Sequence, residues 1–150
     1  MNAASRVVHV AVGILTDAAG AILLARRPDH AHQGGLWEFP GGKVEADETV
    51  ERALARELRE ELGVTVQAAE PLLQVRHAYP DKKVLLDVWR VTAYRGEPHG
   101  REGQPLAWAP PARLADFAFP AADAPIIQWL RQEQNQMAQQ ANSKEMSVTL

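Results

Sequence analysis

Gly42–Val64 reads GKVEADETVERALARELREELGV. Its spacing predicts a helix from about Thr49 to Leu62, capped by Asp47 or Thr49 and stopped by Gly63. At 3.6 residues per turn, Glu57, Glu60 and Glu61 fall on one face. Leu54, Ala55, Leu58 and Leu62 make an apolar stripe that buries the other face against a sheet. Like charges at these spacings repel, so a bare helix is destabilised by them. A divalent cation among them reverses that sign. Carboxylate oxygens suit Mg²⁺, with Mn²⁺ as a substitute, and a site with few protein ligands leaves room for water and substrate phosphates. The competing reading is an ordinary solvated, charged helix.

Working outward, 150 residues suit one domain with a real core. A net charge of −3 offers no general attraction to a nucleic acid polymer or an anionic membrane. A nucleotide partner should therefore be small and metal-chelated. The chain has no cysteine, which excludes disulfides, a thiol nucleophile and cysteine-based zinc sites. Arg6, the apolar run Val7–Leu15 and Ala18-Ala19-Gly20-Ala21 faintly imitate a signal peptide. His9 and Gly13 interrupt that run, and its β-branched content reads as a buried strand. No run reaches membrane-spanning length. A cytoplasmic monomer is the expectation.

Val7–Leu15 and Ile22–Ala25 read as a hairpin about Asp17-Ala18-Ala19-Gly20. A polar loop, Arg26–Leu36, leads to a short strand Trp37–Phe39 and then Pro40-Gly41-Gly42. Beyond the helix, strands are expected at Leu72–Tyr79, Lys83–Tyr94 and Leu106–Trp108, with Pro110-Pro111 blocking helix or central strand there. Pro125 opens a last helix that buries Ile126, Ile127 and Leu130. Residues 1–131 form the domain, and 132–150, rich in Gln and Asn, read as a frayed or disordered tail. Mixed strands with helices at two places give an α/β layered domain.

Written out, Gly42, five residues, Glu48, seven residues and Arg56-Glu57-Leu58-Arg59-Glu60-Glu61-Leu62-Gly63-Val64 resemble the Nudix box at every defining position. The resemblance implies the Nudix fold, an α/β/α sandwich with a mixed β-sheet. Over Val8–Leu130 the chain is similar to the MutT-like branch, hydrolases of 8-oxo-dGTP. The matching stretches are Val10–Ile14, Arg26-Arg27, Trp37–Lys43, Tyr79-Pro80-Asp81, Gly96-Glu97-Pro98 and Arg101–Pro105. The implied activity is Mg²⁺-dependent pyrophosphohydrolysis of a nucleoside triphosphate by attack at the β-phosphorus. It yields a monophosphate and pyrophosphate and clears oxidised nucleotides from the pool, limiting mutation.

By the same resemblance Glu57, Glu60, Glu61, Glu102 and the carbonyl of Gly41 bind metal. Glu57 or Glu102 is the general base, a choice left open. Arg56 orients a carboxylate, since its planar fork suits bidentate pairing, and Glu48 supports the helix start. Arg27 contacts phosphate, His32 approaches the sugar or phosphates, and Glu38, Phe39, Pro40 and Gly41 line the pocket by main chain. Tyr79 and Leu86 contact the base or belong to the core, and Trp37, Trp89 and Trp108 are expected in the core.

The departure is Asp123, where the MutT-like pattern has an asparagine that recognises the oxidised guanine. An amide offers a donor and an acceptor, whereas an ionised aspartate only accepts. Three readings follow: Asp123 is protonated and mimics the amide, it caps the last helix before Pro125, or the substrate differs. The related CTP pyrophosphohydrolases, acting on CTP or 5-methyl-dCTP, resemble the chain in Leu36–Phe39 and in an aspartate near Pro125. A non-catalytic nucleotide-sensing module would typically lack a box glutamate, and all are present here.

Overall fold

A computed structural model of the chain describes residues 6–31 and 34–148. His32, expected near the substrate, lies outside the described residues. In chain order the elements are β1 (Val7–Ile14), β2 (Ile22–Arg26), β3 (Trp37–Glu38), β4 (Gly41–Lys43), α1 (Val50–Leu62), β5 (Thr65–Ala78), β6 (Lys83–Arg95), β7 (Leu106–Ala109) and α2 (Ala124–Val148). Short 3-10 helices at Pro111–Asp116 and Ala121–Asp123 precede α2.

Among the described residues the strands form two sheets, one of order β4-β1-β6-β5 and one of order β3-β2-β7. β1 runs parallel to β6 but antiparallel to β4, so the larger sheet is mixed. Alternation along β1 divides the core. Ala11 joins Leu54, Leu58, Leu62 and Val91 beneath α1, while Val12 and Ile14 join Val88, Leu114, Ile126 and Leu130 on the other side. A helix thus covers each side of the sheets, and the fold is the expected α/β/α sandwich. In α1 the buried stripe is Ala53, Leu54, Leu58 and Leu62, with Ala53 taking the place expected of Ala55.

Several expectations need correction. The hairpin of β1 and β2 does not form as a ladder: Thr16 bridges Ile22 at its base, and then the two strands enter different sheets. β1 finds its partners in β4 and β6, where its apolar residues are covered on both faces. β5 begins at Thr65, well before Leu72, and carries Pro71 at an irregular stretch of its pairing with β6. Pro111 does not exclude helix but opens a 3-10 helix, because its missing N–H is one that a first turn leaves unbonded. Trp108 is 36% exposed on the surface.

The backbone of α2 stays helical to Val148, although 132–150 read as frayed or disordered. Glu133 is tied to Arg90, whose Nη2 donates to both carboxylate oxygens at 2.6 and 2.7 Å. From Gln134 to Ser143 the side chains are exposed. Gln, Met, Ala and Lys are good helix formers, and no Gly or Pro interrupts them.

Leu58 is fully buried at the contact of α1 with the sheet. Leu58→Ala should lose about 2–5 kcal/mol of unfolding free energy in a denaturant titration. A loss below about 1 kcal/mol would contradict this packing.

Candidate active site

α1 is fixed at both ends. Thr49 Oγ1 accepts from the Arg52 N–H at 3.2 Å, and Gly63, with φ +71°, donates its N–H to the Arg59 carbonyl. The last carbonyls of α1 are taken up by the loop after β6. His99 N–H donates to the Leu62 carbonyl at 3.1 Å, and Arg101 N–H to that of Glu61 at 3.0 Å. Gln104, which the sequence reading left unassigned, joins two candidate ligands. Its Nε2 donates to the Glu61 carbonyl at 3.0 Å, and its Oε1 accepts from the Glu102 N–H at 2.9 Å.

Arg56 organises the acidic face. Its Nε and Nη2 grip the two oxygens of Glu48 at 2.8 and 3.0 Å, while Nη1 donates to Glu57 Oε1 at 2.8 Å. Nη2 also donates to the Lys43 carbonyl at 3.1 Å, tying α1 to β4. Glu48 Oε1 accepts from the Glu45 N–H as well. Arg56 first, and then that N–H, hold the Glu48 carboxyl down to about 2.

Glu57 and Glu61 converge on β4. Glu61 Oε2 lies 3.4 Å from the Gly41 N–H, a long contact, and Glu57 fills the space that a side chain at Gly42 would need. Burial first, then the nearby carboxylates of Glu57 and Glu38, push Glu61 up to about 9. Glu60 turns outward, with its side chain 59% exposed and 3.6 Å from Arg56. Glu102 is exposed, yet close enough to Glu38 to oppose its ionisation. Among the described residues no three acidic or imidazole groups are already gathered as a cation cage. The close pair is Glu57 and Glu61. Their mutual repulsion and oxygen donors fit a hard divalent cation that completes its shell with water and phosphate.

A cavity of about 360 Å³ opens beside this pair. β1 forms its floor, from Val8 beside Val84 to Val12 beside Gly41. Glu57, Glu61, Gly41, Gly42 and Lys43 line it, as do Arg27, Glu38, Phe39, Tyr79, Lys82, Leu86 and Asp123. Pro40 is absent from this wall, and its carbonyl accepts from the Gly13 N–H at 2.8 Å. Arg27 Nη1 donates to Glu38 Oε2 at 2.9 Å, so the cation expected on phosphate is at least partly engaged with a carboxylate. Burial raises Glu38, and Arg27 opposes that rise. Asp123 is 8% exposed. Burial, then Glu38, push its carboxyl up to about 7, with Arg27 acting the other way. Tyr79 Oη accepts from the Ala122 N–H at 3.2 Å, beside Asp123. No helix is long and apolar enough to cross a membrane among the described residues.

A mixed α/β/α sandwich with a glutamate-bearing helix over a two-glycine strand defines a known class. The NUDIX domain model matches residues 11–129, and the chain belongs to that family. Within it, the chain is 40% identical to the 8-oxo-dGTP diphosphatase of Escherichia coli strain K12 over 123 residues, 82% of this chain and 95% of the relative. It is 38% identical to the CTP pyrophosphohydrolase of the same strain over 117 residues, covering 78% and 87%. A solved MutT structure, from a study of the Aliivibrio salmonicida and Vibrio cholerae proteins, superposes with a TM-score of 0.74 at 40% identity, covering 85% of this chain and 99% of that one. The Escherichia coli ORF135 protein superposes with a TM-score of 0.73 at 36% identity, covering 82% and 87%.

Gly42→Ala should fold normally, because the atoms nearest the added methyl belong to the movable end of Glu57. It should nevertheless reduce kcat at least roughly tenfold by displacing that carboxylate, which corresponds to about 1.4 kcal/mol. Unchanged turnover would remove Glu57 from the chemistry.

Asp123 is an acid whose folded pKa is raised, so its stabilising contribution is complete below its unfolded value and is lost as pH rises through about 7. Asp123→Asn should therefore melt above the wild type at pH 8 and close to it at pH 4. Equal melting curves at both values would contradict the burial of this carboxyl.

Proposed function

We propose that this chain is a divalent-cation-dependent nucleoside triphosphate pyrophosphohydrolase whose substrate is 8-oxo-dGTP, cleaved to 8-oxo-dGMP and pyrophosphate. One observation carries the reading. A single cavity is lined both by the Glu57–Glu61 pair with Gly41 and by Phe39, Tyr79, Leu86 and Asp123. The first set suits phosphates and the second a flat base. The similarity to 8-oxo-dGTP diphosphatases over most of the chain supports the choice of base.

In this proposal Glu57 and Glu61 hold Mg²⁺, with Mn²⁺ as a substitute, and Glu60, Glu102 and the Gly41 carbonyl complete the set as substrate enters. The cation supplies positive charge that clamps phosphate oxygens and makes bound water a better nucleophile. Arg56 positions Glu57 by holding one of its oxygens at 2.8 Å. Glu57 or Glu102 takes the proton from the attacking water. Water oxygen bonds to the β-phosphorus, the bond from that phosphorus to the bridging α–β oxygen breaks, and the monophosphate leaves with that oxygen. Arg27, with Glu38 as its partner, faces the nucleotide across the cavity, where Phe39 and Tyr79 flank the base. The product monophosphate and pyrophosphate both depart into solvent, and no macromolecular partner is needed.

Glu61→Gln tests the assignment because the amide keeps the shape and removes the charge. Its kcat for pyrophosphate release from 8-oxo-dGTP should fall by a factor on the order of 10³, a loss of about 4 kcal/mol in transition-state stabilisation, with the melting temperature retained. Wild-type turnover of that variant in excess Mg²⁺ would overturn it.

A further inference from the structure

We infer that Gln104 is a positioning residue: its side-chain amide fixes the loop that carries Glu102, so that this carboxylate meets the cation held by Glu57 and Glu61. The inference deepens the pyrophosphohydrolase reading above and rests on it. Glu102 is exposed, so no surrounding protein fixes its side chain, and its backbone decides where the carboxylate starts from. That backbone lies in a turn closed by the Gly103 N–H, which donates to the Gly100 carbonyl at 3.0 Å. Gly103 itself has a φ of +81°. Glycine has more backbone freedom to lose than any other residue, so a turn bracketed by two of them needs an outside hold to keep one position.

Gln104 supplies that hold. Its Oε1 accepts from the Glu102 N–H at 2.9 Å while its Nε2 donates to the Glu61 carbonyl at 3.0 Å. The two backbone groups have opposite polarity, and an amide has one end for each. An ionised glutamate only accepts, and a hydrocarbon side chain does neither. Gly100 makes the arrangement possible, because a side chain there would run into the Gln104 carbonyl and crowd its Oε1.

Capping of α1 does not account for the amide. The Glu61 carbonyl already accepts from the Arg101 N–H at 3.0 Å, and the Leu62 carbonyl from the His99 N–H at 3.1 Å. Arg101 Nη1 donates to the Arg59 carbonyl at 3.1 Å. What Gln104 adds to these bonds is the link to Glu102. Glu61 therefore meets the loop through its carbonyl and the cavity through its carboxylate. Glu102 in turn stands close enough to Glu38, on the cavity wall, to oppose its ionisation.

Hydrogen exchange and a double-mutant cycle on the full chain test this together. In the metal-free protein the Glu102 amide should be protected, and in Gln104→Met it should exchange roughly tenfold faster while the Arg101 amide is unchanged. With Mg²⁺, Gln104→Met should lower kcat for pyrophosphate release, from the faster of 8-oxo-dGTP and CTP, roughly tenfold. That factor should vanish when the same change is made in a Glu102→Gln background. An equal factor in both backgrounds overturns the inference, because Gln104 would then act on the fold and not through Glu102. Equal exchange of the Glu102 amide in both proteins overturns it, as does loss of protection at Arg101 alongside Glu102. Should Gln104→Met fail to fold, Gln104→Asn takes its place, its amide one methylene too short to reach both groups. Wild-type turnover by Glu102→Gln also overturns the inference and leaves the Glu57–Glu61 reading intact. Release of pyrophosphate from neither nucleotide by the wild type sinks the underlying reading and the inference together.

Discussion

The site depends on two carboxylates that the fold forces together. Glu57 and Glu61 lie one turn apart on α1, and packing of the buried face of α1 presses both against the Gly41–Lys43 strand. Burial first, and then that approach without a counter-charge, raise Glu61 to about 9. Arg56 compensates only the Glu57 side, because its fork is already filled by Glu48. The balance of charge is left for something from solution. Gly41 and Gly42 make the approach possible, since a side chain at either would collide with the Ala11 carbonyl or with Glu57.

The remaining architecture ties other groups to this pair. The loop after β6 hangs from the C-terminal carbonyls of α1, so Glu102 is placed relative to Glu61 through the single amide of Gln104. Glu38 lines the same cavity and raises the carboxyls of both Glu61 and Asp123. Ionisation of Glu61 and of Asp123 is therefore linked through a common neighbour, with Arg27 moderating Glu38.

Much of this was legible in the sequence, for identifiable reasons. Helix periodicity and box spacing located α1 and its glutamates, because local geometry determines which residues share a face. The same geometry separates Glu60: residues four apart nearly superimpose, while Glu60 is turned by about 100° from Glu61 and finds solvent. Partners distant in the chain were not legible. The tie from Gln104 to Glu61 spans 43 residues, and no local pattern signals it. The divergence of β1 and β2 was hidden for a similar reason, since a turn between apolar runs does not say which sheet each strand joins. Asp123 was visible as a departure, but its burial depends on the cavity that Glu38, Arg27 and Tyr79 build around it.

The most direct measurement is an anomalous-scattering map from crystals soaked with Mn²⁺ and a non-hydrolysable nucleoside triphosphate. The account predicts an ion peak bonded to the carboxylates of Glu57 and Glu61, beside Gly41, with phosphate oxygens completing its shell. A well-ordered triphosphate in the cavity with no ion at that pair would contradict it.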